Sequence, residues 1–183
     1  MSIRFRDHLN LAAVATAPGC SRMFARATLT RWGAVDVVDD AMLVVSELVT
    51  NAVNATGVSG PLNWAELPPL SLLTVRLVAL DGSVVIEVWD SSPTEPVART
   101  PAPDDEHGRG LHLVGHLARR WGFYPYRGGK VVWAELPLRP PGPGGLPKRR
   151  GSASSSSPPA GAAGRLSLDP QIFRRLIDGL REL

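Results

Sequence analysis

Residues 46–56 read SELVTNAVNAT, a stretch that sets one carboxylate and two carboxamides among apolar neighbours. Wound at about 100° per residue, Asp40, Glu47, Thr50, Asn51 and Asn54 share an arc of roughly 100° with no Lys or Arg beside them. Ala41, Met42, Val44, Val45, Leu48, Val49, Ala52 and Val53 make the rest of the barrel apolar apart from Ser46. Glu47 and Asn51 stand one above the other on one helix face. An Asn carbonyl is a hard oxygen ligand suited to Mg2+, a cation that keeps waters and takes further oxygens from nucleotide phosphates. A nearby Glu can accept a proton from an attacking hydroxyl or water. On this helix alone, a polar face touching solvent is the simpler account.

Two further stretches carry chemical potential. VVIEVWDSSP ends a strand on Asp90, where a carboxylate can accept a hydrogen bond from an amino group such as that of adenine; taken alone, an Asp that caps a turn explains it as well. HGRGLHLVGHL puts Gly108 and Gly110 just before a helix, so that backbone N–H groups can converge on an anion at its positive end, with Arg109 adding a charge. No Gly-Lys-Ser/Thr follows, which excludes a P-loop, and the full dinucleotide fingerprint after a strand is missing. His112 and His116 have a metal-compatible spacing but no matched third ligand, and exposed histidines account for them. Trp121 and Trp133 are most simply core aromatics.

The elements that must position these residues follow from periodicity and punctuation. A helix is expected from about Gly19 to Trp32 and a second from about Val35 to Ala55, started by Asp36 and closed by Gly57. A Pro-punctuated loop, GVSGPLNWAELPPL, leads to two alternating runs, LLTVRLVAL and SVVIEVW, which flank Asp81-Gly82 as an antiparallel hairpin. The segment SSPTEPVARTPAPDDEHGRG is too rich in Pro and acid to pack and is expected as a mobile surface loop. LHLVGHLARRWG reads as a helix, and KVVWAELPL as a last strand entered through Gly128-Gly129.

Length and composition set the frame around them. The 183 residues, 44% hydrophobic, are enough for one domain with a sizeable core. The formal charge of +3 divides unevenly: residues 1–138 hold 12 Lys and Arg against 14 Asp and Glu, and residues 139–183 hold 8 against 3. The basicity therefore belongs to the tail, which lacks interleaved aromatics and reads as a solvated linker rather than a direct nucleic-acid or membrane contact. One cysteine, Cys20, excludes an intrachain disulfide framework and fits a reducing, cytoplasmic setting. LAAVATAPGC makes a poor leader, being short, Ala-rich and carrying Pro18 at the cleavage position, and no apolar run approaches the roughly 20 residues needed to span a bilayer. Residues 139–168 are a Pro/Gly/Ser-rich linker, and 169–183 recover an amphipathic helix with Ile172, Phe173, Leu176, Ile177 and Leu180 in one stripe, expected to dock on a partner or on the domain or else to fray.

In this order, SELVTNAV, VWDSSP, EHGRGLHLVGHLARRWG and GGKVVWAEL resemble the N, G1 and G2 boxes and closing strand of the GHKL ATPase superfamily, and within it the stand-alone anti-sigma-factor serine kinases and their actinobacterial relatives. The resemblance spans about residues 8–138 and implies a Bergerat fold, an α/β two-layer sandwich with helices on one face of a mixed, mainly antiparallel sheet. It implies ATP and Mg2+ as cofactors, Asn51 as metal ligand, Glu47 as catalytic carboxylate, Asp90 on the adenine amino group, and Gly108, Arg109, Gly110 and Leu111 around the phosphates. Pro93 to His107 would be the lid, and Lys130 would approach phosphate unless it is a solvated hairpin lysine. The partners implied are a sigma factor or an anti-anti-sigma (STAS-type) protein phosphorylated on Ser or Thr, with a homodimer as one admissible assembly; a non-catalytic ATP-dependent binding module is the alternative. Two positions depart from the pattern: Ala55 replaces the His usual four residues after the Asn, and GKV replaces GKT, so that Val131 stands for a hydroxyl. Both bear on phosphoryl transfer more than on nucleotide binding.

Overall fold

The computed structural model describes residues 2–56, 71–96 and 109–138. Their order is β1 (Ile3–Ala12), α1 (Ala17–Arg31), a 3-10 turn (Val35–Val37), α2 (Val38–Thr56), β2 (Leu72–Leu80), β3 (Ser83–Asp90), α3 (Arg109–Leu117), β4 (Arg120–Tyr126) and β5 (Gly129–Pro137). The linker and terminal helix expected over 139–183, Gly57, Gly108 and the Pro-rich loop beyond Pro96 lie outside the described residues. Among the described residues no helix is long and apolar enough to cross a membrane.

The strands form one open sheet in the order β1-β2-β3-β5-β4, and all four pairings are antiparallel, so the parallel component implied by a mixed sheet is not found among them. The three helices cover one face. Alternation decides which: Leu73, Val75 and Leu77 on β2, Val84, Ile86 and Val88 on β3, and Val132, Ala134 and Leu136 on β5 point into one core with the helices. α2 supplies Ala41, Val44, Val45, Leu48, Val49 and Ala52, and α1 adds Ala25 and Leu29. Burying each Leu or Ile of this set contributes about 1.5–3 kcal/mol. The first turn of the second helix is wound as a 3-10 segment, and Asp39 and Asp40 then sit in the first turn of α2, where carboxylates suit the positive helix end.

The opposite sheet face is also buried, and it carries charge. Arg76 on β2 faces Glu87 on β3 in register and donates to it through Nε, and Tyr124 on β4 donates its hydroxyl to Glu87 Oε1 at 3.2 Å. Arg120 and Glu135 repeat the arrangement between β4 and β5. Burial, with the Glu87 charge beside it, pushes the Tyr124 phenol well above its ordinary value. At the far end of the sheet, Asp81 accepts from the Ser2 backbone N–H at 3.1 Å and Arg4 Nε at 2.9 Å, which ties the start of β1 to the β2–β3 turn and draws the Asp81 carboxyl below its ordinary value.

Three boundaries differ from the sequence expectation. β1 is not foreseen: it is an edge strand, exposed along much of its length, and its charged residues hide the alternation of Phe5, Leu9 and Leu11. The helix expected through Gly122 stops at Leu117, because Arg120–Tyr126 pairs with β5 as the other edge strand, where Pro125 is tolerated. The turn between them sets Arg127 at φ 47° and Gly128 at φ 76°, both left-handed, as a tight hairpin of this hand requires. α1 begins at Ala17, two residues earlier than expected, with Pro18 accommodated in its first turn.

Candidate functional site

α2, the end of β3, the start of α3 and the start of β5 converge on a cleft of about 370 Å³ lined by Asn51, Ala52, Asn54, Ala55, Asp90, Thr94, Glu95, Pro96, Leu111, Lys130 and Val132. That volume lies in the range of ligand pockets, roughly 300–1,000 Å³. Ala52, Leu111 and Val132 are apolar wall, and a few polar groups stand among them.

Asp90 is 1% exposed, and its two oxygens are used differently. Oδ1 accepts the Ser92 backbone N–H at 2.9 Å and the Lys130 ammonium at 2.8 Å. Oδ2 is buried and has no hydrogen-bond partner among the described residues. Of the two accounts of this residue, the turn cap is realised at Oδ1, and Oδ2 is left as an acceptor for which the described residues supply no donor. On α2, the Asn51 Nδ2 is likewise buried without a partner among the described residues. An unmet buried polar atom costs about 1–3 kcal/mol, so two at one cleft mark places where a ligand's polar groups gain most.

Glu47, one turn before Asn51, does not line the cleft; it abuts α3. A Cβ added to Gly110 would fall 2.3 Å from Glu47 Oε2, so the missing side chain makes room for the carboxylate. Leu111 borders the cleft itself, whereas Arg109 opens α3 and its side chain is outside the described set. Asp40 and Thr50 of the helix stripe do not line the cleft, and Asn54 does. Pro93 is exposed and outside the lining; the next three residues, Thr94, Glu95 and Pro96, take that place.

Lys130 is buried rather than solvated, and the anion it meets is the Asp90 carboxylate. It is 6% exposed, with its ammonium on Asp90 Oδ1 and, at 3.2 Å, on the Ser92 carbonyl. Val131 alternates to the other sheet face, opposite Trp89 and Tyr124, so its lack of a hydroxyl does not alter the cleft; Ala55 does line it. Two contributors were missed in the sequence. Ser92 closes the turn, which the Asp-x-Ser spacing signals. Gly129 brings β5 so near β3 that a Cβ would lie 2.0 Å from the Asp90 carbonyl oxygen.

Among the described residues no group of three or more His, Cys, Asp or Glu is arranged to hold a metal, and His112 and His116 are a tilted ring pair 4.5 Å apart. A cation at Asn51 would need oxygens brought by a bound phosphate, which is how Mg2+ ordinarily binds beside nucleotides. Among the described residues the cleft offers a buried acceptor at Asp90 Oδ2 and a buried donor at Asn51 Nδ2.

A family model described as histidine kinase-like ATPase domain matches residues 11–135. Among solved structures, the RsbU and RsbW domains of Rv1364c from Mycobacterium tuberculosis align at 22% identity and a TM-score of 0.49, over 74% of this chain and 33% of that one. The nucleotide-free catalytic domain of histidine kinase ThkA aligns at 14% identity and a TM-score of 0.40, over 72% of this chain and 96% of that one. The chain thus spans about a third of the length of the first. No curated protein matches it.

Proposed function

The chain belongs to the histidine kinase-like ATPase domain family, and from that premise we propose that it is a cytoplasmic ATP·Mg2+-dependent regulator that phosphorylates a Ser or Thr of an anti-anti-sigma (STAS-type) partner or binds a sigma factor. The observation that carries the nucleotide part is the pair of buried polar atoms without a partner among the described residues, Asp90 Oδ2 and Asn51 Nδ2, on residues that share one cleft. Asp90 Oδ2 accepts from the adenine amino group. The Asn51 carboxamide oxygen would be the ligand that this chain offers to Mg2+. Gly110 and Leu111, with Gly108 and Arg109 before them, wrap the phosphates at the start of α3. The partner class rests on the resemblance of SELVTNAV, VWDSSP and GRGLHLVGHL to anti-sigma-factor kinases.

Mg2+, when bound, supplies neutralisation of the phosphate charge. Glu47 takes the proton of the acceptor hydroxyl as that oxygen bonds the terminal phosphorus and the bond to the departing ADP oxygen breaks. Little else is asked of the protein beyond holding the two ends in line.

A second reading has an observation of its own. Ala55, in the cleft, stands where related kinases carry a His, which suits a module that binds ATP and sets partner affinity without transfer. Calorimetric titration with Mg·ATP and transfer of label from ATP to candidate partners separate the two. Binding to the native chain, weakened about 10-fold or more in Asn51→Ala, supports the nucleotide site. Transfer that disappears in Glu47→Ala supports the kinase; binding without transfer supports the module; no binding defeats both.

A further inference from the structure

The phosphoryl chemistry proposed above leaves Lys130 without a task, yet its ammonium is buried in the cleft lining and held by two acceptors. We infer that Lys130 is a positioning residue for base recognition: it clamps one oxygen of Asp90 so that the other is presented as a fixed acceptor, and so makes the cleft select amino-purine over keto-purine nucleotides. This rests on the nucleotide reading above.

The clamp is built by the sheet. Asp90 and Lys130 are register partners across β3 and β5, which sets their side chains on one face. Gly129 allows the approach, since any side chain there would meet the Asp90 carbonyl oxygen. Lys130 Nζ then bridges both ends of the turn, Asp90 Oδ1 at 2.8 Å and the Ser92 carbonyl at 3.2 Å, while the Ser92 N–H returns to Oδ1 at 2.9 Å. With two donors on Oδ1 the carboxylate cannot rotate without giving up both.

The consequence falls on Oδ2, which is buried and has no partner among the described residues. A carboxylate oxygen accepts and does not donate. A ligand amino group completes it. A keto oxygen at the same place sets acceptor against acceptor and leaves both unmet, which is the stronger kind of discrimination. Asp90 and Ser92 take two of the three Lys130 ammonium donors, so a phosphate contact would fall to the third, and the ligand series below separates that role from the clamp.

The test is calorimetric binding of ATP, ADP, adenosine and inosine triphosphate to the native chain and to Lys130→Met. If Lys130 acts through Asp90, the variant weakens ATP, ADP and adenosine by one common factor, about 10-fold or more, and narrows the preference for ATP over inosine triphosphate. A loss that grows from adenosine to ADP to ATP overturns the inference in favour of a phosphate contact, and unchanged affinity and selectivity overturn it outright. Lys130→Gln keeps an N–H donor for Asp90 without the charge, and decides the matter if the Met variant does not fold: partial retention of the ATP preference supports the clamp, and a loss confined to the phosphate-bearing ligands refutes it. A native chain that binds neither ATP nor adenosine fails at the nucleotide reading itself, and this inference falls with it.

Discussion

Glu47 owes its place to an absence. Its carboxylate occupies the volume that a side chain at Gly110 would fill, 2.3 Å from where a Cβ would stand. The atom met is the tip of a flexible side chain rather than backbone, so an added methyl displaces the acid without breaking the fold. Gly110→Ala should therefore leave the unfolding temperature unchanged or slightly higher, since Ala gains up to about 1 kcal/mol over Gly in a helix. Label transfer from ATP to a partner should fall by about 10-fold or more, because a misplaced proton acceptor forfeits its share of general base catalysis. A variant that transfers as the native chain does would remove Glu47 from the chemistry. At this scale the helix stripe was readable, because Glu47 and Asn51 are neighbours through local periodicity alone. The tie from Lys130 to Asp90 was not, because it depends on strand register across 40 positions of chain.

The sheet separates two environments with the same alternating strands. One face holds the helices and the cleft, and the other holds Arg76, Glu87, Tyr124 and Trp133, all buried. The Tyr124 phenol is pushed upward by burial and by Glu87. A raised value means that the protonated phenol is favoured by folding, so its contribution is whole below pH 10 and is lost as the pH climbs beyond it. Tyr124→Phe should cost about 0.5–1.5 kcal/mol at pH 7 through the lost bond to Glu87, and that deficit should shrink or reverse at pH 11. Urea unfolding of both chains at the two pH values measures it, and parallel losses would show that Tyr124 does not titrate with unfolding. The β2–β3 hairpin, with its Asp81-Gly82 turn, and β5 were readable because apolar alternation is strong in the middle of a sheet. β1 and β4 were obscured because these edge strands interrupt their apolar alternation, β1 with Arg4, Arg6 and Asp7 and β4 with Gly122 and Pro125, and because Arg120 and Trp121 pair with Glu135 and Ala134 instead of continuing α3.

The cleft is bounded by four separate parts of the chain: α2, the end of β3 with the turn after it, the start of α3 and the start of β5. None of these can leave without dismantling the shared core, so a ligand that touches all of them binds the folded state alone and stabilises the whole unit by mass action. Mg·ATP at about 100 times its dissociation constant should add about 2.7 kcal/mol, which for a domain of this size raises the unfolding temperature by roughly 10 °C. The rise should continue with concentration, about 1.4 kcal/mol for each further tenfold. Asn51→Ala should need at least tenfold more Mg·ATP for the same shift, while adenosine, which reaches only the Asp90 end, should stabilise the native chain and Asn51→Ala alike. Thermal unfolding of the two chains across a nucleotide series measures all of this at once. If Asn51→Ala lost adenosine and ATP equally, the amide would be holding the cleft together rather than meeting phosphate, and the division into a base end and a phosphate end would be wrong.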